Sequence, residues 1–268
     1  MTSRILLSIF LGLATLLAPV SADKETSRLD LILERGYLTV GTTGDFKPFT
    51  YLNPKTEEYE GIDIDAAKDI AAKLGVELHI EGTTWPTLVE GILEDRYDLA
   101  VGGITRTLSR QTQVYITEPY FQTGKCPLVR EADVSKLSTI ADLNQPSVRV
   151  GVNPGGTNER FVRQMLPQAN VTVVEDNLSI PGKVLAGEFD VMITDNVEAM
   201  IFEKKLPGLA ASHPSEPFTV EDFGYLLPRG DEAWLNWLNL YVHQANQKGY
   251  YRDWEEKWLE LHSKPAEE

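Results

Sequence analysis

The apolar residues of this chain follow two alternating patterns, short continuous runs and longer stretches in which they recur every three or four positions. The short runs are typical of buried strands, and the spaced stretches are typical of helices that cover a sheet. We predict strands at 37–42, 49–52, 76–80, 98–101, 148–152, 171–174 and 190–193. We predict helices at about 63–74, with Asp63 as its cap, and at 86–94, 156–166, 180–186 and 196–204. Such alternation favours an α/β fold with mostly parallel sheets.

The pattern occurs as two series, and the second series begins near Ser138. The chain becomes extended again over 218–227 and then forms a helix that carries apolar residues on one face. That face consists of Trp234, Leu238, Tyr241 and Ala245, and Trp254 and Trp258 follow it. We expect these tryptophans to pack against the first lobe of a two-lobed molecule, to which the chain returns late.

The first 22 residues have the pattern of a secretory signal peptide. Arg4 precedes an apolar run at 5–17, and Val20-Ser21-Ala22 resembles a cleavage site with small residues. The run is short for a membrane span, and Pro19 also fits a signal better than an uncleaved anchor, which is the alternative. We therefore predict export to the periplasm, with a mature chain that begins at Asp23.

The composition of the chain argues against several classes of partner and cofactor. The formal net charge of −15 argues against nucleic-acid partners and against stable contact with an anionic membrane. Cys126 is the only cysteine, so no intrachain disulfide can form, and the four histidines lack metal-ligand spacing. Two Asn-x-Ser/Thr sequons, at Asn170 and Asn177, have meaning only in a eukaryotic secretory route. The remaining partner class is a small molecule.

Candidate site residues follow the predicted strands, because ligands of open α/β sheets bind beyond the carboxyl ends of strands. The loop 102–110 offers Gly103 for close backbone approach, the Thr105 hydroxyl, and Arg110 as a grip for a carboxylate. We expect Arg106 to be solvated. From spacing alone, an ordinary surface arginine is the favoured interpretation of Arg110.

Two further segments carry candidates on the second series. Gly156, Thr157 and Asn158 stand where a strand gives way to a helix, whose free N–H groups favour an anion, although simple capping is the alternative. Asp195 follows a strand and could receive an ammonium group. Glu198 lies one helical turn later, and spacing alone favours an exposed first-turn carboxylate there.

Two aromatic residues, Phe46 and Trp85, also follow strands and could form walls for a ring-bearing ligand. As isolated residues they are equally explained as core.

Taken in order, these segments resemble the polar amino-acid-binding proteins that serve ABC transporters, over nearly all of 37–259. The matching segments are Leu38 to Phe49, Gly61 to Asp65, Thr105 to Arg110, Glu118 to Phe121, Gly156-Thr157 and Asp195. The resemblance implies a periplasmic-binding-protein-like fold with two α/β lobes, a two-strand hinge and a central cleft. The implied lobes are 23–128 plus 221–268, and 129–220. Arg110 and Thr157 would hold a ligand carboxylate, and Asp195 its amino group.

Three residues depart from the transporter pattern, namely Lys125, Asn158 and Glu198. These departures, and segments such as Asn153 to Glu159 and Tyr225 to Arg229, resemble a catalytic branch of the family, the cyclohexadienyl dehydratases. Phe46 stands where tyrosine is expected.

This second resemblance implies prephenate or arogenate as substrate and no cofactor, because aromatisation drives the reaction. Glu198 would be the general acid and Asn158 would orient the leaving hydroxyl. Thr105 and Arg110 would hold the side-chain carboxylate, and Lys125 would neutralise the ring carboxylate. An amino-acid receptor of an ABC transporter is the alternative, and the preferred substrate and the oligomeric state stay open.

Overall fold

The computed structural model describes residues 26–263. The predicted signal peptide, 1–22, lies outside the described residues. The described chain forms two α/β lobes, each built on a five-stranded sheet, and a short two-stranded ribbon lies between them. Within 26–263, no helix combines the length and apolarity that crossing a membrane requires.

The sheet of the first lobe combines parallel and antiparallel strands. Its spatial order is Glu77–Gly82 (β5), Tyr37–Thr42 (β1), Leu99–Ala100 (β6), Leu226–Leu227 (β15) and Tyr115–Ile116 (β7). Strand β1 pairs in parallel with β5 and β6, whereas the returning strand β15 pairs antiparallel with β6 and β7. A separate antiparallel sheet consists of Asp45–Phe46 (β2), Thr50–Leu52 (β3) and Tyr59–Glu60 (β4).

Six helices belong to the first lobe. They are Arg28–Arg35 (α1), Ile62–Leu74 (α2), Leu88–Leu93 (α3), Leu108–Gln111 (α4), Glu232–Gln247 (α9) and Tyr250–Ser263 (α10). The predicted packing of the late helix is confirmed, because Trp234, Leu238, Tyr241 and Ala245 are all buried in the core of the first lobe. Trp258 of α10 is buried in the same core, and Trp254 packs against it.

The second lobe has its own sheet, in the spatial order Asn170–Val173 (β11), Arg149–Val152 (β10), Val191–Asp195 (β12), Lys125–Arg130 (β9) and Leu209–Ala211 (β13). Its helices are Ile140–Leu143 (α5), Thr157–Met165 (α6), Ile180–Leu185 (α7) and Asn196–Lys205 (α8), with 3-10 turns at Glu131–Asp133 and Asn177–Ser179. Strand β10 pairs in parallel with β11 on one side and with β12 on the other. Strand β9 runs antiparallel to β12 and β13.

The ribbon between the lobes pairs Phe121–Thr123 (β8) with Glu221–Phe223 (β14) in antiparallel fashion. The proposed boundary at 128/129 falls inside β9, and the boundary at 220/221 falls at the start of β14. The exact lobe limits stay a prediction.

One local prediction was wrong. Asp63 does not cap α2, because Gly61 precedes the helix with φ of 131° and Asp63 lies in the first turn. The buried Asp63 carboxylate instead accepts hydrogen bonds from the backbone N–H groups of Gly102 and Gly103, both at 2.7 Å, and from the Tyr120 hydroxyl at 2.6 Å. Asp63 therefore fixes the glycine loop that borders the cleft, and burial raises its pKa to about 6.

Candidate active site

A small cavity lies between the two lobes, with about 230 Å³ of space between the atoms, part of which is open to solvent. Its lining residues are Phe46, Trp85, Gly103, Thr105, Asn153, Gly156, Thr157, Asn158 and Asp195. Eight of these nine residues are sequence-predicted site residues, and Asn153 is the addition. The remaining three candidates, Arg110, Lys125 and Glu198, do not line the cavity. Arg110 contacts the backbone of Thr105, and Lys125 contacts Thr157 and Asp195.

An aromatic wall forms the first-lobe side of the cavity. Phe46 is almost fully buried, and the Trp85 ring meets it edge-on with 5.9 Å between centroids. The Trp85 indole N–H donates to the Asp45 carboxylate at 3.0 Å, which fixes the plane of the ring. A Cβ on Gly103 would lie 2.5 Å from the Phe46 ring, and Gly103 has φ of 69°, so only glycine fits there.

Arg110 braces the cavity from behind. Its side chain is only 6% exposed, and one guanidinium nitrogen donates to the backbone oxygen of Thr105 at 2.7 Å. Burial lowers the pKa of Arg110 to about 10, a value that leaves it charged at neutral pH. Arg106 does not line the cavity; its side chain is one-third exposed and lies 3.8 Å from the Asp222 carboxylate.

Two threonines from opposite lobes meet at one edge of the cavity. The hydroxyl oxygens of Thr105 and Thr157 are 3.1 Å apart, so the described conformation is a closed one. Thr157 begins α6, and Gly156 precedes it with extended backbone. The predicted strand-to-helix junction therefore lies at the cavity as expected.

Asn158, in the first turn of α6, presents a free acceptor. Its amide nitrogen donates to the Asn153 side-chain oxygen at 3.2 Å, which fixes the orientation of the Asn158 amide. The Asn158 side-chain oxygen is buried and has no hydrogen-bond partner among the described residues. A buried acceptor without a partner costs about 1–3 kcal/mol, so this oxygen is well suited to accept from a ligand hydroxyl.

Lys125 is completely buried, and its ammonium group contacts three protein side chains. It lies 3.0 Å from the nearer Asp195 oxygen, 3.0 Å from the Thr157 hydroxyl and 3.1 Å from a Glu221 oxygen. Strand register explains the first contact, because Lys125 of β9 is the direct cross-strand partner of Asp195 of β12. Burial raises the pKa of Asp195, an effect that the Lys125 ammonium opposes.

Glu198 is also completely buried, in contrast to the exposed carboxylate that spacing alone favours. It lies in the first turn of α8, and the Thr194 hydroxyl donates to one of its oxygens. The Asn177 amide nitrogen lies 3.4 Å from the other oxygen. Burial raises the pKa of Glu198 well above its usual range, and the negative charges of Asp45 and Asp195 raise it further. Burial and these two negative charges therefore favour the protonated form of Glu198.

Sequence reasoning did not assign four residues that the structure places at the site: Asn153, Asn177, Asp45 and Glu221. Asn153 stands in the segment that was recognised, whereas Asn177 was noticed only as a sequon. Its side chain is 1% exposed and is therefore inaccessible for glycosylation in this conformation. Within 26–263, no group of three or more histidine, cysteine, aspartate or glutamate side chains is arranged to hold a metal ion.

Comparison with known proteins places this arrangement in a family. Residues 38–261 match the model of the bacterial extracellular solute-binding proteins, family 3, and the chain belongs to that family. The cyclohexadienyl dehydratase of Pseudomonas aeruginosa is 42% identical over 252 residues, which cover 93% of this chain and 92% of that protein. The L-cystine-binding protein TcyJ of Escherichia coli is 26% identical over 90% of this chain and 89% of that protein.

Solved structures support the same assignment. The ancestral amino acid-binding protein AncCDT-1, described as a precursor of cyclohexadienyl dehydratase, superposes with a TM-score of 0.80 at 34% identity. That match covers 87% of this chain and all of the ancestral protein. A variant of an ancestral cyclohexadienyl dehydratase is 49% identical, with a TM-score of 0.56 and coverage of 88% and 97%.

Proposed function

We propose that the protein is a cyclohexadienyl dehydratase that converts prephenate to phenylpyruvate and arogenate to phenylalanine. The observation that carries this proposal is Glu198, a fully buried carboxylic acid with a raised pKa, in a fold whose other members bind amino acids. The 42% identity to the Pseudomonas aeruginosa dehydratase supports it. A solute receptor has no need for a buried carboxylic acid with a raised pKa, whereas a dehydratase needs a proton donor.

The reaction explains this need. Both substrates lose a ring hydroxyl and a ring carboxylate, and hydroxide is a poor leaving group. Glu198 would donate its proton to the hydroxyl, so that the C–O bond breaks and water leaves. The C–C bond to the ring carboxylate breaks at the same stage, its electron pair completes the aromatic ring, and carbon dioxide leaves. Glu198 then regains a proton from solvent, and general acid catalysis of this kind contributes about 100- to 10,000-fold.

The surrounding residues supply orientation. The unpartnered oxygen of Asn158 would accept the hydrogen bond of the leaving hydroxyl and so place it for protonation. Thr105 and Arg110 would hold the side-chain carboxylate of the substrate. Arg110 would either give up its hydrogen bond to the backbone oxygen of Thr105 and bind the carboxylate directly, or keep that bond and position Thr105. Phe46 and Trp85 would flank the ring, and Gly103, Gly156 and Thr157 would complete the enclosure.

Lys125 is already paired with protein side chains, whereas the resemblance implies that it neutralises the ring carboxylate of the substrate. Its ammonium group donates hydrogen bonds to Asp195 and Thr157 and lies 3.1 Å from a Glu221 carboxylate oxygen. To neutralise the ring carboxylate, Lys125 would exchange one of these contacts for the substrate. In the described conformation it occupies the place at Asp195 where the amino group of an amino acid would bind.

The alternative is an amino-acid receptor of an ABC transporter. Family membership and relatives such as the L-cystine-binding protein support it. The Lys125–Asp195 pair argues against it, because a ligand ammonium at Asp195 would have to displace a buried cation.

The cellular location is proposed on the same basis. The family comprises extracellular solute-binding proteins, and the predicted signal peptide at 1–22 would direct this chain to the periplasm. A small-molecule substrate is then the expected partner.

The test is direct. Purified protein is incubated with prephenate at neutral pH in the presence of a chelator, and phenylpyruvate is followed by its absorbance in alkali. We expect product well above the spontaneous rate in a protein-free control. If neither prephenate nor arogenate is consumed by folded protein, while an amino acid binds tightly and is recovered unchanged, the receptor is the correct function.

A further inference from the structure

Asn177 connects the two lobes at the side of the buried acid. It begins the 3-10 turn of the second lobe, and its amide nitrogen donates to the backbone oxygen of Asp45, in strand β2 of the first lobe, at 2.9 Å. The same nitrogen lies 3.4 Å from an oxygen of Glu198. We propose that Asn177 is a positioning residue that orients Glu198 for proton transfer only when the lobes are closed. This inference rests on the proposed dehydratase function.

The hydrogen-bond geometry supports this coupling. The side-chain amide of asparagine has two N–H donors, and in the closed conformation one faces the first lobe and the other faces Glu198. When the lobes separate, the Asp45 oxygen moves away and the amide is no longer held between two fixed acceptors. The orientation of the Glu198 carboxyl group, fixed on its other side by Thr194, then depends on one contact alone.

A polar chain extends this link to the cavity wall. The Asp45 carboxylate accepts from the indole of Trp85, which lines the cavity, while the Asp45 backbone oxygen accepts from Asn177. The ring that would flank the substrate and the acid that would protonate it are thus joined through two residues. The charged groups that act on Glu198 are Asp45 and Lys47 of the first lobe and Asp195 of the second.

Packing alone does not account for an asparagine at this position. The side chain is almost fully buried, yet its oxygen has no hydrogen-bond partner among the described residues. An apolar side chain of similar volume would avoid the cost of this unpaired acceptor, about 1–3 kcal/mol. The arrangement is explained if the amide nitrogen is needed for the contact with Glu198.

The experiment compares Asn177→Ala and the nearly isosteric Asn177→Leu with Asn170→Ala, the exposed asparagine of the other sequon. Steady-state kinetics with prephenate are measured as a function of pH. In parallel, the carboxyl of Glu198 is titrated by carbon-13 NMR in the ligand-free protein, with Glu198→Gln to assign its signal.

For both Asn177 variants we expect kcat to fall about 10- to 100-fold with little change in KM, because the acid is misplaced while the binding residues are retained. The alkaline limb of kcat and the Glu198 titration should both move to higher pH, because the amide hydrogen bond favours the ionised carboxylate. Asn170→Ala should match the wild type in all three measurements.

Different results would overturn the role of Asn177 and the proposed dehydratase function. A folded Asn177→Leu protein with wild-type kcat and an unmoved Glu198 titration overturns the inference while the dehydratase function stands. A loss of thermal stability without movement of either pH profile also overturns it, since it indicates a structural role only. If the wild type does not turn over prephenate or arogenate, the proposed function fails, and with it the catalytic role of Asn177.

Discussion

The two faces of the cleft differ in the kind of group that they present. The first-lobe face consists mainly of aromatic rings and backbone, represented by Phe46, Trp85 and Gly103, with the Thr105 hydroxyl at its edge. The second-lobe face carries Asn158 and Asp195 at the cavity, and this lobe also holds the buried Lys125 and Glu198. The first-lobe face would therefore determine the shape of the site, and the second-lobe face would carry the groups for proton transfer.

This division has a physical basis in the second sheet. Strand β12 ends at Asp195, and α8 begins one residue later, so that strand end and first helical turn bring Asp195 and Glu198 close together. Asp195 has a cation as its direct cross-strand neighbour, whereas Glu198 has only neutral donors. The Lys125 ammonium therefore favours the ionised form of Asp195 against the effect of burial, whereas no ion-paired cation among residues 26–263 offsets the effect of burial on Glu198. Substitutions on the second lobe should change the rate, and substitutions on the first should change binding.

The largest effect is expected for Glu198→Gln. Glutamine keeps the shape and can accept one of the two hydrogen bonds that Glu198 accepts, but its amide has no acidic proton to give. We expect kcat for prephenate to fall by about 100- to 10,000-fold, with KM changed by less than about threefold. Glu203→Gln, on the same helix, is the matched control and should retain wild-type kinetics. Full activity of Glu198→Gln would exclude Glu198 as the acid.

The stability of the same variant should depend on pH in a defined direction. Burial raises the pKa of Glu198 in the folded state above its unfolded value. The stability that protonated Glu198 contributes is therefore complete below the unfolded pKa and is lost as pH rises through the folded pKa. Glu198→Gln lacks this loss, so its free energy of unfolding should increase relative to wild type as pH rises. Urea denaturation at mildly acidic and alkaline pH measures the difference, and parallel curves would contradict it.

Lys125→Met tests the charge pair on the second lobe. The variant leaves Asp195 buried without its cation, a change that costs about 3–5 kcal/mol when nothing replaces the partner. Arogenate brings its own ammonium group and can restore the pair, whereas prephenate cannot. We expect the ratio of kcat/KM for arogenate over prephenate to rise about 10- to 100-fold.

The control for this change is Lys136→Met, which removes an exposed lysine of the same lobe. Its ratio of kcat/KM values should stay at the wild-type level. An equal loss for both substrates in Lys125→Met would show that Asp195 does not meet the amino group of arogenate.

The sequence was sufficient for the α/β alternation and for most of the cavity lining, because glycines and polar residues follow strand ends at recognisable places. Local patterns alone did not single out Lys125 and Glu198, which were assigned through the family resemblance. Lys125 lies in strand β9, in which Pro127 obscures the strand pattern because proline is rare between two neighbouring strands. The burial of Glu198 depends on residues of other elements, Asn177 and Asp45, which no local pattern brings together.

A moderate effect is expected for Arg110→Ala. The guanidinium is buried behind Thr105 and is the charge proposed to hold the side-chain carboxylate. Hydrogen bonds to charged groups contribute about 1.5–3 kcal/mol, so KM should rise by about tenfold or more while kcat changes less. Initial rates over a range of prephenate concentrations separate the two parameters. Arg110→Lys keeps the charge and should recover part of the binding, and an unchanged KM in Arg110→Ala would argue against the carboxylate role.

The smallest effect is expected for Phe46→Leu, on the first-lobe face. The Phe46 ring contacts Trp85 and the backbone of Gly103 and offers the substrate only an apolar surface. Such a surface binds the ground state and the transition state about equally, so its loss should raise KM by about threefold and leave kcat within about twofold. The Gly103 backbone packs closely against the Phe46 ring, and the smaller leucine side chain should not clash with it. A fall in kcat as large as that of Glu198→Gln would show that the aromatic wall takes part in the chemistry, and the division between a face for shape and a face for proton transfer would then be wrong.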